Sequence, residues 1–106
     1  MNNENEIVVN GVVYVKKDQN KDGQIKIAIL QRGWAMIGRF KRDGQDCTLT
    51  DAHVIRRWGT TKGLGQLALE GKQSNTVLDE AGTVEFDYLT VVSLISCDSN
   101  KWAAIL

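Results

Sequence analysis

The sequence predicts a mainly β protein: a small antiparallel barrel or curled sheet of about six strands with one short helix. Three observations support this fold class. Segments such as "QIKIAIL" and "TVEFDYL" alternate apolar and polar residues with period two. Asp43-Gly44 is a short hairpin signal between two such segments. Only the segment 64–71 has convincing helical periodicity. Closure into a barrel is favoured because it leaves no edge strand exposed.

The first strand pattern is "EIVVNGVVYVKK", in which Asn10-Gly11 indicates either a tiny hairpin or one strand with a bulge. Its partner is "QIKIAIL", which places Ile25, Ile27 and Ile29 on one face. The intervening "DQNKDGQI" looks like the front half of a calcium loop. Its twelfth position is Ile29, however, and both flanks are strand-like. The segment is therefore interpreted as a hairpin loop, without a metal.

The next hairpin joins "GWAMIGRFKR" to "DCTLTDA", and Gly38 predicts a bend or a close backbone contact. "HVIRRW" then leads to the helix, where Leu64, Leu67 and Ala68 share one side and Gly71 occupies the C-cap position. A polar loop containing Asp79-Glu80 is expected before the half-buried strand "TVEFDYL".

The chain is expected to finish with the apolar strand "TVVSLIS" and a last helical turn capped by Asp98 or Ser99. The apolar "WAAIL" terminus must dock on its own sheet or on a neighbouring subunit, so a homo-oligomer is one of the two alternatives.

A length of 106 residues predicts a single β-rich domain over residues 7–106, after a disordered N-terminus at 1–6. No stretch approaches the ~18 apolar residues of a membrane helix, and "MNNENE" does not resemble a secretory signal, so a cytoplasmic protein is expected. Thirteen basic and thirteen acidic residues cancel. This balance argues against bulk nucleic-acid binding, so any anion site must be local.

Several motifs are too weak to predict chemistry. Cys47 and Cys97 lie in apolar runs without a CxxC pair, so buried free thiols are expected and neither a metal nor a cofactor is predicted. "GLGQLA" fits a dinucleotide fingerprint, but its surroundings are antiparallel rather than βαβ. It predicts either simple turn chemistry or a turn whose free N–H groups hold a phosphate.

His53 is the only histidine, so acid–base or nucleophilic chemistry of the usual kind would have to centre on it. Asp51 lies two residues earlier and is expected on the same strand face, where it could hold the ring. No serine or cysteine partner is suggested by spacing. The sequence therefore favours a protein that is not an enzyme.

The run "RRWGTTKG" has the best local composition for a nucleotide ligand. Arginine forks grip phosphate, an indole stacks on a base, and hydroxyl groups complete the donors. The alternative is that the tryptophan is a core or interface residue and the arginines form a solvated face. The predicted ligand residues are Arg56, Arg57, Trp58, Thr60, Thr61 and Lys62, with Trp34, Arg39 and also Arg32 from the preceding strand region.

The stretch "AHVIRRWGTTKGLGQLALEG" resembles the signature of a family of small phage and prophage proteins of uncharacterised function, A-x-x-I-x-x-W followed by L-x-Q-L-A-x-E-G. "GRFKRDGQDCTLTDA" and "VVSLISC" are also similar to that family, so the resemblance covers about two-thirds of the chain and omits the N-terminal hairpin. The family carries aromatic residues where this chain has Arg56 and Arg57, and arginine where it has His53. The matching residues are Ala52, Ile55, Trp58, Leu64, Gln66, Leu67, Ala68, Glu70 and Gly71.

The resemblance implies a phage-derived accessory protein, all-β apart from the one helix, and brings no established enzyme activity. One route by which small phage proteins neutralise host defence is sequestration of a nucleotide immune signal, an analogy consistent with the arginine, tryptophan and threonine cluster. The first hypothesis is thus an oligomeric sponge for a small, cyclic nucleotide. The second is an inhibitor or adaptor that docks an exposed Trp, Met and Leu surface onto a host protein. A hydrolase working through His53 is the third.

Overall fold

The computed structural model describes residues 23–106, so the first strand pattern and most of the calcium-like loop lie outside the described residues. Within this range five strands form one antiparallel sheet in the order β4-β3-β2-β1-β5. The predicted mainly β fold with one short helix is confirmed. The strands are β1 (Gln24–Leu30), β2 (Trp34–Asp43), β3 (Asp46–Arg57), β4 (Val77–Asp87) and β5 (Val91–Ser96), and the helices are α1 (Leu64–Glu70) and α2 (Ser99–Trp102).

The β2–β3 hairpin forms where the Asp43-Gly44 signal predicts it. Asp43 pairs with Asp46, and Gly44 has a φ of 63°, which glycine adopts without a steric penalty. Further along, the register shifts by one residue and Asp51 takes a φ of 55°. Gly38 lies opposite this bulge. A Cβ added to Gly38 would stand 3.1 Å from the Thr50 carbonyl oxygen. The expected bend or close backbone contact at Gly38 is therefore confirmed.

The sheet curls, and chain connectivity requires it. β4 and β5 are its opposite edges, yet only Tyr88–Thr90, a 3-10 turn, separates them in sequence. The four peptide links from Asp87 to Val91 reach about 14 Å at about 3.6 Å each. The edges of a flat five-stranded sheet would lie about 19 Å apart at about 4.8 Å per strand step. The two edges must therefore approach each other.

Both faces of the curled sheet carry apolar clusters. On the helix-covered face, Ile25, Ile27, Ile37 and Ile55 pack with both helices and Leu106, and Ile29 adjoins them as predicted. The opposite face buries a second set, and side chains from both edge strands pack against it, as a sheet curling about that face requires. This set is Ala28, Leu30, Met36, Leu49 and Ala52.

The helices close one face of the sheet. α1 ends at Gly71, whose φ is 90° and whose N–H donates to the Leu67 carbonyl, as a C-cap glycine should. Asp98 caps α2 by accepting from the Asn100 N–H at 3.0 Å. Trp102 is fully buried, and its Nε1–H donates to the Leu67 carbonyl at 2.9 Å. The apolar terminus thus docks on its own domain. No helix among residues 23–106 is long and apolar enough to cross a membrane.

One part of the predicted layout is wrong. Residues 77–82, including Asp79-Glu80, belong to β4 and pair with the second half of β3 rather than forming a loop. Their sequence lacks alternation because β4 is an edge strand whose middle is exposed on both faces. Backbone pairing with β3 therefore identifies residues 77–82 as a strand, although their side-chain pattern does not.

We expect Trp102→Ala to lower the free energy of unfolding by about 3–5 kcal/mol, because it leaves a cavity between α1 and β1 and removes the hydrogen bond to α1. Urea denaturation followed by circular dichroism measures this. Leu69→Ala, on the exposed side of α1, is the control and should change stability by less than about 0.5 kcal/mol. Equal effects of the two substitutions would contradict the assignment of Trp102 to the core.

Candidate functional site

Four of the predicted ligand residues lie at the same end of the sheet, where β2 begins and β3 ends. The register pairs Met36 with Val54, and Trp34 and Arg56 follow two residues further on their strands. Both therefore lie on the face opposite the helices. We call Trp34, Arg56, Arg57 and Trp58 the tryptophan–arginine patch.

A second bulge brings both arginines of the patch to one face. Successive strand residues normally point to opposite faces. The β3–β4 register, however, shifts between Ile55 and Arg57, so that Arg57 pairs with Val77. Val77 shares a face with Asp79, and Asp79 is the carboxylate that Arg56 contacts. The extra residue thus cancels the alternation that would have separated the two guanidinium groups.

The two indoles of the patch are available to a ligand. Trp34 is 54% exposed and Trp58 is 47% exposed. Half-exposed tryptophans keep part of their ring in packing contacts and leave the remainder for stacking. Trp58 is therefore not a core residue, in contrast to Trp102, the third tryptophan of the chain.

The charge on the patch is partly compensated. Arg56 Nε donates to Asp79 Oδ2 at 2.7 Å, and both side chains are about half or more exposed to solvent. An exposed pair of this kind contributes at most about 1 kcal/mol, so an incoming phosphate can compete with it. Within residues 23–106, Arg57 and Lys62 are exposed without an ion-pair partner.

The loop 59–63 is held by hydrogen bonds to Gln66 of α1 and by one bond within the loop. Gln66 Oε1 accepts from the backbone N–H groups of Thr61 at 3.0 Å and Lys62 at 2.8 Å. Thr60 Oγ1 accepts from the Gly63 N–H at 3.0 Å. The expectation that this turn offers free N–H groups to a phosphate is thus wrong for these three donors. The Thr60 hydroxyl and the Thr61 hydroxyl, which contacts Gln66 at 3.3 Å, are also engaged.

Gly59 lets this loop lie against the chain that precedes β4. Its φ is 65°, and a Cβ there would overlap the Asn75 backbone. One residue on, Thr76 is buried and its hydroxyl donates to the Trp58 carbonyl at 2.7 Å. These two contacts hold the backbone at the Trp58 carbonyl and at Gly59, directly after the indole.

Arg39 does not join the patch, so this part of the predicted site is wrong. It pairs with Ile25 in the β1–β2 register, which puts it on the helix-covered face. Its side chain is only 10% exposed and lies 3.9 Å from Asp51 Oδ2. Arg39 lines a cavity together with Ile25 and Cys97, on the face of the sheet away from the patch.

His53 is held differently from the expectation. Its Nδ1 lies 3.1 Å from the backbone oxygen of Asp51, so that nitrogen donates and the Asp51 carboxylate takes no part. His53 pairs with Ile37 and faces the helix side. In the part of the chain described, no three His, Cys, Asp or Glu side chains group as metal ligands would.

The cysteines are free, with Cys47 buried and Cys97 half-buried. Burial raises the pKa of the Cys47 thiol above its ordinary value. Burial also raises the pKa of Cys97, from 9.0 to about 11. Both groups are therefore neutral thiols near pH 7, and the expectation of buried thiols holds fully for Cys47 and in part for Cys97.

Three residues that matter to the site were not predicted: Asp79, Gln66 and Thr76. Gln66 carried one usable signal, since a polar side chain three residues into a helix often reaches back to cap the preceding turn. Asp79 and Thr76 carried none, because their roles arise from contacts with residues 23 and 18 positions away.

Comparison with known proteins leaves the chain without an assigned family. No family model matches it, and no curated protein matches it. The chain is similar to the solved structure of a heptameric archaeal Sm protein, with 16% identity over 76% of this chain and 94% of that one and a TM-score of 0.49. A likeness at this level carries no functional assignment.

We expect alkylation of Cys97 by iodoacetamide at pH 8 to be about 100-fold slower in the native protein than in the urea-unfolded chain. Only the thiolate reacts, and raising the thiol pKa from 9.0 to about 11 lowers the thiolate fraction at pH 8 by about that factor. Peptide mass spectrometry separates Cys97 from Cys47. The native rate should increase up to about pH 11. Equal rates at pH 8 in the two states would contradict the burial of the thiol.

Proposed function

We propose that this chain is a non-enzymatic accessory protein of phage origin that sequesters a phosphorylated nucleotide signal, of the cyclic type, in the host cytoplasm. The observation that carries the proposal is the tryptophan–arginine patch: two half-exposed indoles and two arginines at one end of the sheet. Indoles stack on bases with little sequence preference, and guanidinium groups bind phosphate in two-pronged fashion. No proton transfer or nucleophile is needed for sequestration.

The division of roles follows from the positions of the side chains. Trp34 and Trp58 would stack the bases, while Arg56 and Arg57 would hold phosphates from the same face of the sheet. Lys62 adds an exposed charge on the adjoining loop. Thr60 and Thr61 serve mainly to shape that loop, because their hydroxyls already bond within it. Asp79 competes for Arg56 and would be displaced by the ligand.

The sheet edges support a homo-oligomer. Among the described residues β4 and β5 each have one strand neighbour, so each presents a row of backbone groups to which another chain can add. Leu89 is 73% exposed and Val92 is 67% exposed beside the β5 edge. Apolar side chains next to an open edge favour self-association over exposure to water.

Isothermal titration of the purified protein with cyclic dinucleotides and cyclic ADP-ribose tests the proposal. We expect micromolar or tighter binding to one member of the panel. Trp58→Ala and Trp34→Ala should each weaken it about 5-fold to 150-fold, the loss of one stacking contact. Asp79→Asn should maintain or tighten binding, because it frees Arg56 from its carboxylate.

Arg42→Ala provides the matched control, since it removes the same charge at the other end of β2 and should leave affinity unchanged. Native mass spectrometry of the same sample reports the subunit number. Arg56→Ala, by contrast, should weaken nucleotide binding. Absence of heat with every nucleotide at micromolar protein would overturn the proposal, and so would an equal loss of nucleotide affinity in Arg42→Ala and Arg56→Ala.

The second candidate function, docking onto a host protein, is favoured by Leu89 and Val92 themselves. Met36, the one methionine within residues 23–106, is buried and so does not contribute to the expected docking surface. A partner recovered from host lysate in stoichiometric amount, and lost from a Leu89→Ser, Val92→Ser double variant, would support docking. If Trp58→Ala fails to recover the partner and the double variant still recovers it, the partner binds at the tryptophan–arginine patch.

A further inference from the structure

The edge strand β5 has one unpaired side among the described residues. Its strand neighbour there is β1, and β1 is paired with β2 on its other side. The sequence predicts that the segment "VVYVKK", residues 12–17, pairs with β1, but both sides of β1 are already taken. That segment lies outside the described residues. Because a lone strand leaves its backbone groups unpaired, a strand-forming segment needs an open edge elsewhere.

The backbone of β5 presents donors and acceptors at its outer edge. The N–H of Cys97 donates to the carbonyl of Ile25, at the start of β1. Alternate residues of a strand direct their backbone groups to the same side. The groups of Ile95 therefore also face β1, and those of Leu94 and Ser96 point outward. An added strand can form ladder hydrogen bonds with these outward groups.

The side chains of β5 favour an apolar neighbour. Leu94 packs against the apolar cluster on the face opposite the helices, Ile95 packs against the helix-covered cluster, and both are half-buried. A strand added beside them would be covered on both faces. Strands of that kind have continuous apolar runs rather than alternation, as in "VVYV" at residues 12–15.

The other edge strand, β4, is a poorer partner for this segment. Its middle is exposed on both faces, and it carries four carboxylates, at Asp79, Glu80, Glu85 and Asp87. A run of valines beside β4 would stay exposed to water and would displace water from those carboxylates. β5 carries no charged residue. The segment therefore fits the edge of β5 better than that of β4.

The connection to β1 is long enough for pairing with β5. Gly23, just before β1, lines a cavity with Ser96, Cys97 and Ser99 at the end of β5. A strand outside β5 lies two strand steps from β1, about 10 Å at about 4.8 Å per step. The peptide links from Lys17 to Gly23 reach up to about 22 Å at about 3.6 Å each. So short a connection brings the end of the segment to the end of β5, and the two strands run parallel.

We propose that residues 12–17 form a strand that pairs in parallel with the outer edge of β5 of the same chain. Lys16 and Lys17 then lie near Asp98, an exposed residue just after β5, so opposite charges meet there. The pairing protects one edge of the sheet and leaves β4 open to a second copy. It does not depend on the proposed nucleotide function, because the tryptophan–arginine patch is formed by β2, β3 and the residue that follows β3.

Hydrogen exchange of the full chain, followed by nuclear magnetic resonance, tests the pairing. We expect the N–H groups of Leu94 and Ser96, the edge amides, to exchange slowly because they donate to the segment. Ile95 is the internal reference, since its N–H faces β1 and is protected in either case. Nuclear Overhauser contacts should join residues 12–17 to residues 94–96. Both results should survive about tenfold dilution, because pairing within one chain does not depend on concentration.

The double variant Val13→Pro, Tyr14→Pro removes a backbone donor whichever of the two residues faces β5. It should speed exchange of the edge amides by about 10-fold or more, while Ile95 stays slow. The double variant Asn2→Pro, Asn3→Pro lies outside the strand pattern and is the matched control. It should exchange as the native chain does.

Three results would overturn the proposal. The first is fast exchange of the edge amides in the native chain, without Overhauser contacts to residues 12–17. The second is protection of the edge amides that the double variant in the segment leaves intact. The third is protection that falls on dilution, which would assign the edge of β5 to a second copy. The Overhauser contacts of the native chain decide the matter even if the double variant does not fold.

Discussion

The bulged pairing of β2 with β3 is the constraint on which the rest of the structure depends. One extra residue at Asp51, opposite the close backbone approach of Gly38, bends the ladder between β2 and β3. That bend lets a three-residue turn join two strands that stand at opposite edges. The curl brings the edge strands against the apolar residues on the face opposite the helices.

Bulges also decide where positive charge can act. At the end of β3 the extra residue brings Arg56 and Arg57 to one face, next to Trp34. In the middle of the same strand, Asp51 lies near Arg39, which faces the other way among apolar side chains. The protein thus has one exposed pair of arginines, of which only Arg56 is paired with a carboxylate, and one buried guanidinium with an unpaired Nε–H. The two environments differ electrostatically, because solvent screens the first far more than the second.

Local signals predicted most of the fold. Asp43-Gly44 predicted the β2–β3 hairpin, and Gly71 predicted the end of α1. Period-two alternation predicted β1, much of β2 and the end of β4. These signals work because each of these features depends on residues that are neighbours in the sequence. The first half of β4 was missed, since an edge strand exposed on both faces has no alternation to detect. For the site, composition identified the tryptophan–arginine patch but misplaced Arg39, whose neighbourhood depends on which face of β2 the helices cover.

The sequence by itself determined the class of fold, the turns, the helix and the residue types available for anion binding, since these follow from side-chain periodicity and backbone preference. Only the tertiary structure decided which of those residues meet. Trp102 entered the core while Trp34 and Trp58 stayed half exposed. Asp79 came to Arg56 from 23 residues away. The physical reason is that strand register and bulges set these encounters, and both are properties of pairs of strands rather than of any single segment.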